Sequence, residues 1–151
     1  MGDFDFFTGT WDVINRQLRQ RHVGSDDWDE FPGVTVARTF FGGVGSFDEI
    51  SFPTKGFSGA TVRIFDADRQ EWSIYWLNSR YGQLFLPPVV GRWTDGVGTF
   101  LADDTDDGRP VRCRFRWTRP AAGTARWEQA FSTDGERTWE TNWTMDFTRR
   151  P

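Results

Sequence analysis

Turn signals punctuate this chain from end to end, and the segments between them alternate. "VGSDDWDEFPG", "FFGGVGS", "FPTKGFSG", "FDADRQE", "NSRYGQ", "WTDGVG", "DDTDDGRP", "RPAAGT" and "STDGE" each gather Gly, Pro, Asp, Asn or Ser. Those residues supply a positive φ, a fixed φ, or a side-chain bond to the local backbone. The signals recur roughly every ten to fifteen residues, and helical periodicity is hard to find between them. Such spacing predicts an all-β fold, a single antiparallel meander closed as a barrel or packed as a sandwich. The 151 residues fit one domain, 1–151, long enough to bury a core without staples.

Three late segments show the alternation best. In "VRCRFRW", Val111, Cys113, Phe115 and Trp117 share one face, and Arg112, Arg114 and Arg116 the other. In "ARWEQAF", Ala125, Trp127, Gln129 and Phe131 oppose Arg126, Glu128 and Ala130. In "WETNWTMDF", Trp139, Thr141, Trp143, Met145 and Phe147 oppose Glu140, Asn142, Thr144 and Asp146. Side chains alternate across a strand with period two, so each segment has an inner and an outer face. Turns at "PAAG" and "STDGERT" that keep apolar faces together put Phe115 opposite Trp127, Arg114 opposite Glu128, Trp127 opposite Trp143 and Gln129 opposite Thr141. A two-residue slip in either pairing preserves the faces and stays open.

Ser132, Asp134, Gly135, Thr138 and Trp139 nearly spell the Asp-box of sialidase-type propellers. The pattern occurs once, with Glu136 in the usual Gly position. A propeller needs several blades and far more chain. The stretch is read as a stabilised hairpin turn, not as glycosidase machinery.

Composition narrows the function classes. Aromatic residues make up 17% of the chain, with nine Trp and fifteen Phe. They fit half-buried pleated surfaces and supply large contact areas. The net charge of −4 argues against a nucleic-acid partner held by a general basic field. No apolar run reaches the length of a membrane span, and "MGDFDFFTGTW" has no signal-peptide pattern. Cys113 is the only cysteine, so no internal disulfide forms. These features lead to the expectation of a cytoplasmic protein without a membrane partner.

Gly9-Thr10-Trp11 stands at the head of the first strand in "FFTGTWDVINRQLRQR". A Gly-x-Trp at this place, followed by an all-β chain of this length, resembles the calycin-like barrels: lipocalins, fatty-acid-binding proteins and nitrobindins. "RWEQAFSTDGERTWETNW", "FDADRQEWSIYWL" and "PPVVGRW" look most like bacterial lipocalin-like proteins without an assigned function. The resemblance covers the whole chain. It implies a meander barrel whose last strand returns beside its first, with Trp11 plugging one end as a structural residue. Nitrobindins hold haem by a His late in the chain. Here the only histidine, His22, ends the first strand, so no haem is expected.

Candidate site residues follow from the faces. Trp127, Trp143, Phe115 and Met145 make an apolar wall interrupted by Gln129 and Thr141. This wall lines either a pocket, mostly apolar with a few polar anchors, or a filled core. In "WSIYWLNSRYG", Trp72, Ile74 and Trp76 share a face, with Trp76 expected on the inner wall and Tyr75 a ligand donor if its own face is the inner one. In "GSFDEISF", Asp48 and Glu49 point to opposite faces, so one points inward. A carboxylate inside an apolar barrel must be paired or have a raised pKa, as a general acid or base requires. Arg38, on the face of Val34, Val36 and Phe40, is its candidate partner. His22 reads as a solvated loop histidine beside Asp26, Asp27, Asp29 and Glu30, and one His without a second ligand is no metal site. "DDTDDGR" imitates the start of an EF-hand loop, but Arg114 stands where calcium needs a bidentate Glu, so it reads as a tight acidic turn. The Arg112, Arg114 and Arg116 ladder reads as an outer face paired with acids such as Glu128.

The leading expectation is a barrel that binds a small, largely apolar or aromatic molecule inside, without cofactor or metal, as a monomer or homodimer. The alternatives are a cofactor-independent enzyme, of cyclase or isomerase type, using Glu49 or Asp48 as acid or base, and an interaction module with a filled core.

Overall fold

A computed structural model describes all residues, Met1–Pro151. It contains ten strands: β1 (Gly9–Leu18), β2 (Trp28–Phe40), β3 (Gly45–Phe52), β4 (Phe57–Asp66), β5 (Glu71–Asn78), β6 (Val89–Thr94), β7 (Val97–Asp106), β8 (Arg109–Thr118), β9 (Thr124–Ser132) and β10 (Glu140–Arg149). Each strand pairs antiparallel with its neighbour in sequence, and β10 returns beside β1, so the meander closes as a barrel. Closure leaves no free sheet edge. No helix is long and apolar enough to cross a membrane.

The lower end of the barrel is filled. The chain enters through a single 3-10 turn, Asp5–Phe7, that carries Phe4 and Phe7 into the interior. Phe7 packs at 5.0–5.4 Å between Trp11, Trp117 and Phe147, and Phe4 lies edge-on to Trp72 at 5.0 Å. Edge-to-face and offset contacts at these separations are the favoured aromatic geometries. Trp11 is buried and donates from Nε1 to the Phe7 carbonyl at 2.8 Å, so it ties the plug to the first strand. Arg149 donates to the carbonyls of Thr8 and Phe6 and covers the Trp11 ring.

Both late hairpins adopt the slipped register. Phe115 lies opposite Gln129 and Trp117 opposite Trp127; Trp127 lies opposite Met145 and Gln129 opposite Trp143. In the first hairpin the tight turn runs from Ala121 to Thr124, with Gly123 at φ +71°. That turn is centred further along than one that pairs Phe115 with Trp127. In the second, a bulge at Asn142 adds one residue to β10, and an extra residue shifts all pairing beyond it. Arg116, not Arg114, therefore faces Glu128.

The "STDGERT" stretch is a self-bonded hairpin. Asp134 accepts from the Thr138 amide at 2.9 Å and the Thr138 hydroxyl at 2.5 Å, and the Ser132 hydroxyl binds Asp134 and the Glu136 amide, each at 2.9 Å. "DDTDDGR" is the tight turn from β7 to β8, with Asp107 and Gly108 both at positive φ.

Candidate functional site

A cavity occupies the middle of the barrel. Ile50, Ile74, Trp76, Phe115, Trp127, Trp143 and Met145 are among its apolar walls, with Gln129 on one side and Asp48, Thr61 and Arg63 on another. Its volume is about 70 Å³. One water needs roughly 10–15 Å³ of such space, so several fit. The interior is thus divided: an aromatic fill below and an apolar chamber above. Trp127 and Trp143 meet edge-on at 5.5 Å, Trp76 and Trp143 at 6.3 Å, and Phe115 and Trp127 at 5.1 Å. The Trp76 ring lies against Gly59, where any Cβ would sit 1.9 Å from it.

The polar group at the chamber's floor is a buried ion pair. Arg63 is 2% exposed and Asp48 5% exposed. Arg63 donates from Nη2 to Asp48 at 2.5 Å and from Nη1 to the Ser46 hydroxyl at 3.0 Å. Its guanidinium lies 4.9–5.5 Å from the rings of Phe4, Phe7 and Trp117, so the plug forms a cation–π seat for it. Burial pushes the Asp48 carboxyl above its ordinary value, and Arg63 and the Thr61 hydroxyl pull it partly back. The Arg63 Nε has no acceptor.

Two amides back the lining. Gln129 donates to Asn142 at 2.8 Å, and Trp143 donates to the fully buried Asn15 at 3.1 Å. Above the chamber, the loop between β1 and β2 reaches across the mouth to β7. Arg21 donates twice to Asp106, at 2.7 and 2.6 Å, and His22 Nε2 meets the same carboxylate at 2.8 Å. The Arg21 guanidinium beside Asp106 holds that carboxyl below its ordinary value, with His22 adding to the effect. His22 is half-buried and stacks on Phe131 at 6.4 Å, so it is not the solvated loop histidine that its acidic neighbours suggested.

The chamber brings together Trp127, Trp143, Phe115, Gln129, Met145, Trp76 and Asp48. Other expected residues lie elsewhere. Glu49 and Arg38 are exposed on the outer face, because Ile50 and Asp48 take the inner positions of β3 and Thr35 and Ala37 those of β2. Arg38 covers Phe47 instead of pairing a buried carboxylate. Tyr75 shares the outer face of β5, since Trp72 and Ile74 point inward. Thr141 precedes the bulge and does not line the chamber; Asn142 is the residue that meets Gln129. Trp139 lies under the Arg114 guanidinium at 4.3 Å, before β10 begins.

Arg63 is the main residue that the alternation misplaces. In β4, Ala60, Val62 and Ile64 form the apolar set, yet Gly59, Thr61 and Arg63 point inward. The signal lies in the preceding turn. Once Phe52 pairs with Phe57, Asp48 faces Thr61 and Ser46 faces Arg63. An inward Asp48 therefore forces Arg63 inward with it.

Neither a protein-family model nor a curated protein sequence matches the chain. Among solved structures it is similar to the S-type phycobiliprotein lyase CPES from Guillardia theta, at a TM-score of 0.60 and 13% identity, over 98% of this chain and 90% of that one. The likeness is one of fold, and the ten-stranded closed meander is calycin-like.

Proposed function

We propose that the protein binds a small, largely aromatic molecule in the upper half of the barrel. The observation that carries this reading is the chamber itself. Aromatic walls supply dispersion and burial, and a few polar groups (Gln129, Asp48 and Arg63) supply orientation. The likeness to a phycobiliprotein lyase supports the reading of the barrel interior as a small-molecule compartment. A ligand larger than a ring or two displaces Trp76 or Trp143.

Indole and 1-naphthol are suitable neutral probes. Native mass spectrometry should show one probe per chain, released on denaturation. Ile74→Trp fills the chamber and should abolish binding while the far-ultraviolet spectrum stays β-rich. Equal binding by wild type and this variant would sink the proposal. Gln129→Leu tests the anchor: it should weaken a hydroxylated probe several-fold, because one hydrogen bond contributes roughly 0.5–1.5 kcal/mol.

A second reading, a cofactor-independent acid–base enzyme, rests on Asp48 alone. It lines the chamber with its carboxyl raised by burial, which suits a proton donor. Asp48→Asn, checked as still β-rich by its far-ultraviolet spectrum, should then remove turnover; retained turnover excludes it.

A further inference from the structure

The outer face of β8 carries cations that the rest of the chain leaves unpaired. Arg114 and Arg116 stand two residues apart on that face, both half-buried. The surrounding carboxylates are engaged elsewhere. Asp103 and Glu136 meet Arg112 at 3.2 and 3.6 Å. Glu128, directly across the ladder from Arg116, binds Arg126 at 2.8 Å, and Arg126 also holds Asp146 at 2.7 Å. The Nε atoms of both Arg114 and Arg116 are enclosed, with no acceptor. The Trp139 indole fixes one side of Arg114, its ring centre 4.3 Å from the guanidinium carbon. Thr99 and Leu101 of β7 and Ala130 of β9 flank the pair, adding no charge.

Two like charges side by side repel, and an enclosed donor without an acceptor costs free energy. Burial and the neighbouring Arg116 lower the Arg114 pKa by more than Glu128 and Glu136, both already bonded to other arginines, raise it. The chain as a whole carries −4, so this pair is a local exception and not part of a general basic field.

We propose that Arg114 and Arg116 form a binding site for a doubly charged oxyanion of the phosphate or sulfate class, outside the barrel and separate from the chamber. A guanidinium offers parallel N–H donors that match such an oxyanion. One dianion neutralises both cations and accepts from their Nη donors, which, unlike Nε, are not enclosed. The indole of Trp139 holds the Arg114 fork in place before the anion arrives. An extended polyanion is a poor fit, because the flanking cations Arg112 and Arg126 already hold carboxylates.

The test records the arginine Nε–Hε resonances of the full chain by nitrogen–proton correlation spectroscopy. Inorganic phosphate is titrated in at fixed ionic strength and neutral pH. The Arg114 and Arg116 resonances should shift together and saturate, while those of Arg112 and Arg126 stay near their starting positions. Sulfate should reproduce the shifts and acetate should not. Arg114→Gln and Arg116→Gln should each weaken the response by about tenfold or more. Neither change strands a carboxylate, so the amide spectrum should keep its dispersion. Shifts that rise linearly without saturation, spread equally to Arg112 and Arg126, or appear equally with acetate would overturn the assignment.

Discussion

Arg63 is where a single residue bears most on both fold and site. It is long, charged and buried in a barrel of modest size, and it persists there because Asp48, Ser46 and three aromatic faces surround it. A buried ion pair stabilises little by itself, but removal of one partner leaves an uncompensated charge. Arg63→Met should therefore cost about 3–5 kcal/mol in equilibrium denaturation. The double variant Arg63→Met with Asp48→Asn should regain a large part of that loss. If the single and double variants are equally unstable, the ion pair is not what links these residues. Of the candidate residues read from the sequence, those on apolar inner faces were legible: Trp127, Trp143, Phe115, Met145 and Trp76 all line the chamber. Arg63 was not, because alternation assigns charge to solvent. Thr141 was misjudged because a bulge leaves no mark in the period-two pattern.

At the scale of one element, the hairpin between β9 and β10 makes the clearest pH statement. The Thr138 hydroxyl and amide and the Ser132 hydroxyl donate to Asp134 and hold its carboxyl down at about 2. An aspartate in the unfolded chain titrates at about 3.9. A depressed folded pKa means that the contribution is fully present above the unfolded value and is lost as pH falls through the folded one. Hairpin stability should thus decline between about pH 4 and pH 2. Asp134→Ala should lower the melting temperature at pH 7 and shrink the difference from wild type toward pH 2. A difference that stays constant across that window would show that the carboxylate bonds do not matter. The existence of this hairpin was visible in Asp134 and Gly135. Its register was not, since the turn geometry and the Asn142 bulge decide it together.

Across the whole molecule, closure depends on a plug and a seam. The plug is the Phe4–Phe7 segment, whose rings fill the lower end. Phe7→Ala should destabilise by about 3–5 kcal/mol, as large-to-small aromatic changes in a core do. Denaturant titration checks it, and a loss under 1 kcal/mol would show that the lower end holds without the ring. The seam is β5–β6, paired only between Trp72–Ile74 and Val89–Gly91. Beyond it, Tyr81, Leu84, Phe85 and Leu86 are exposed. Few ladder bonds and little burial mark a region of low local stability. Amides of Val89 and Val90 should exchange faster than those in the β1–β2 ladder, where Gly9–Leu18 pairs throughout. Equal protection across both would place the barrel's opening elsewhere.

The order of strands and turns, the all-β class and the apolar side of most strands are properties of the sequence itself. They follow from local chemistry: turn residues fix where the chain reverses, and period-two alternation fixes which side chains travel together. Which face points inward in β4, the slipped register of the late hairpins and the meeting of Arg63 with Asp48 were decided only by how neighbouring strands pair, through turn geometry and a bulge, in the tertiary structure. Those are contacts between segments, and their free energy belongs to pairs of residues that no local pattern brings together.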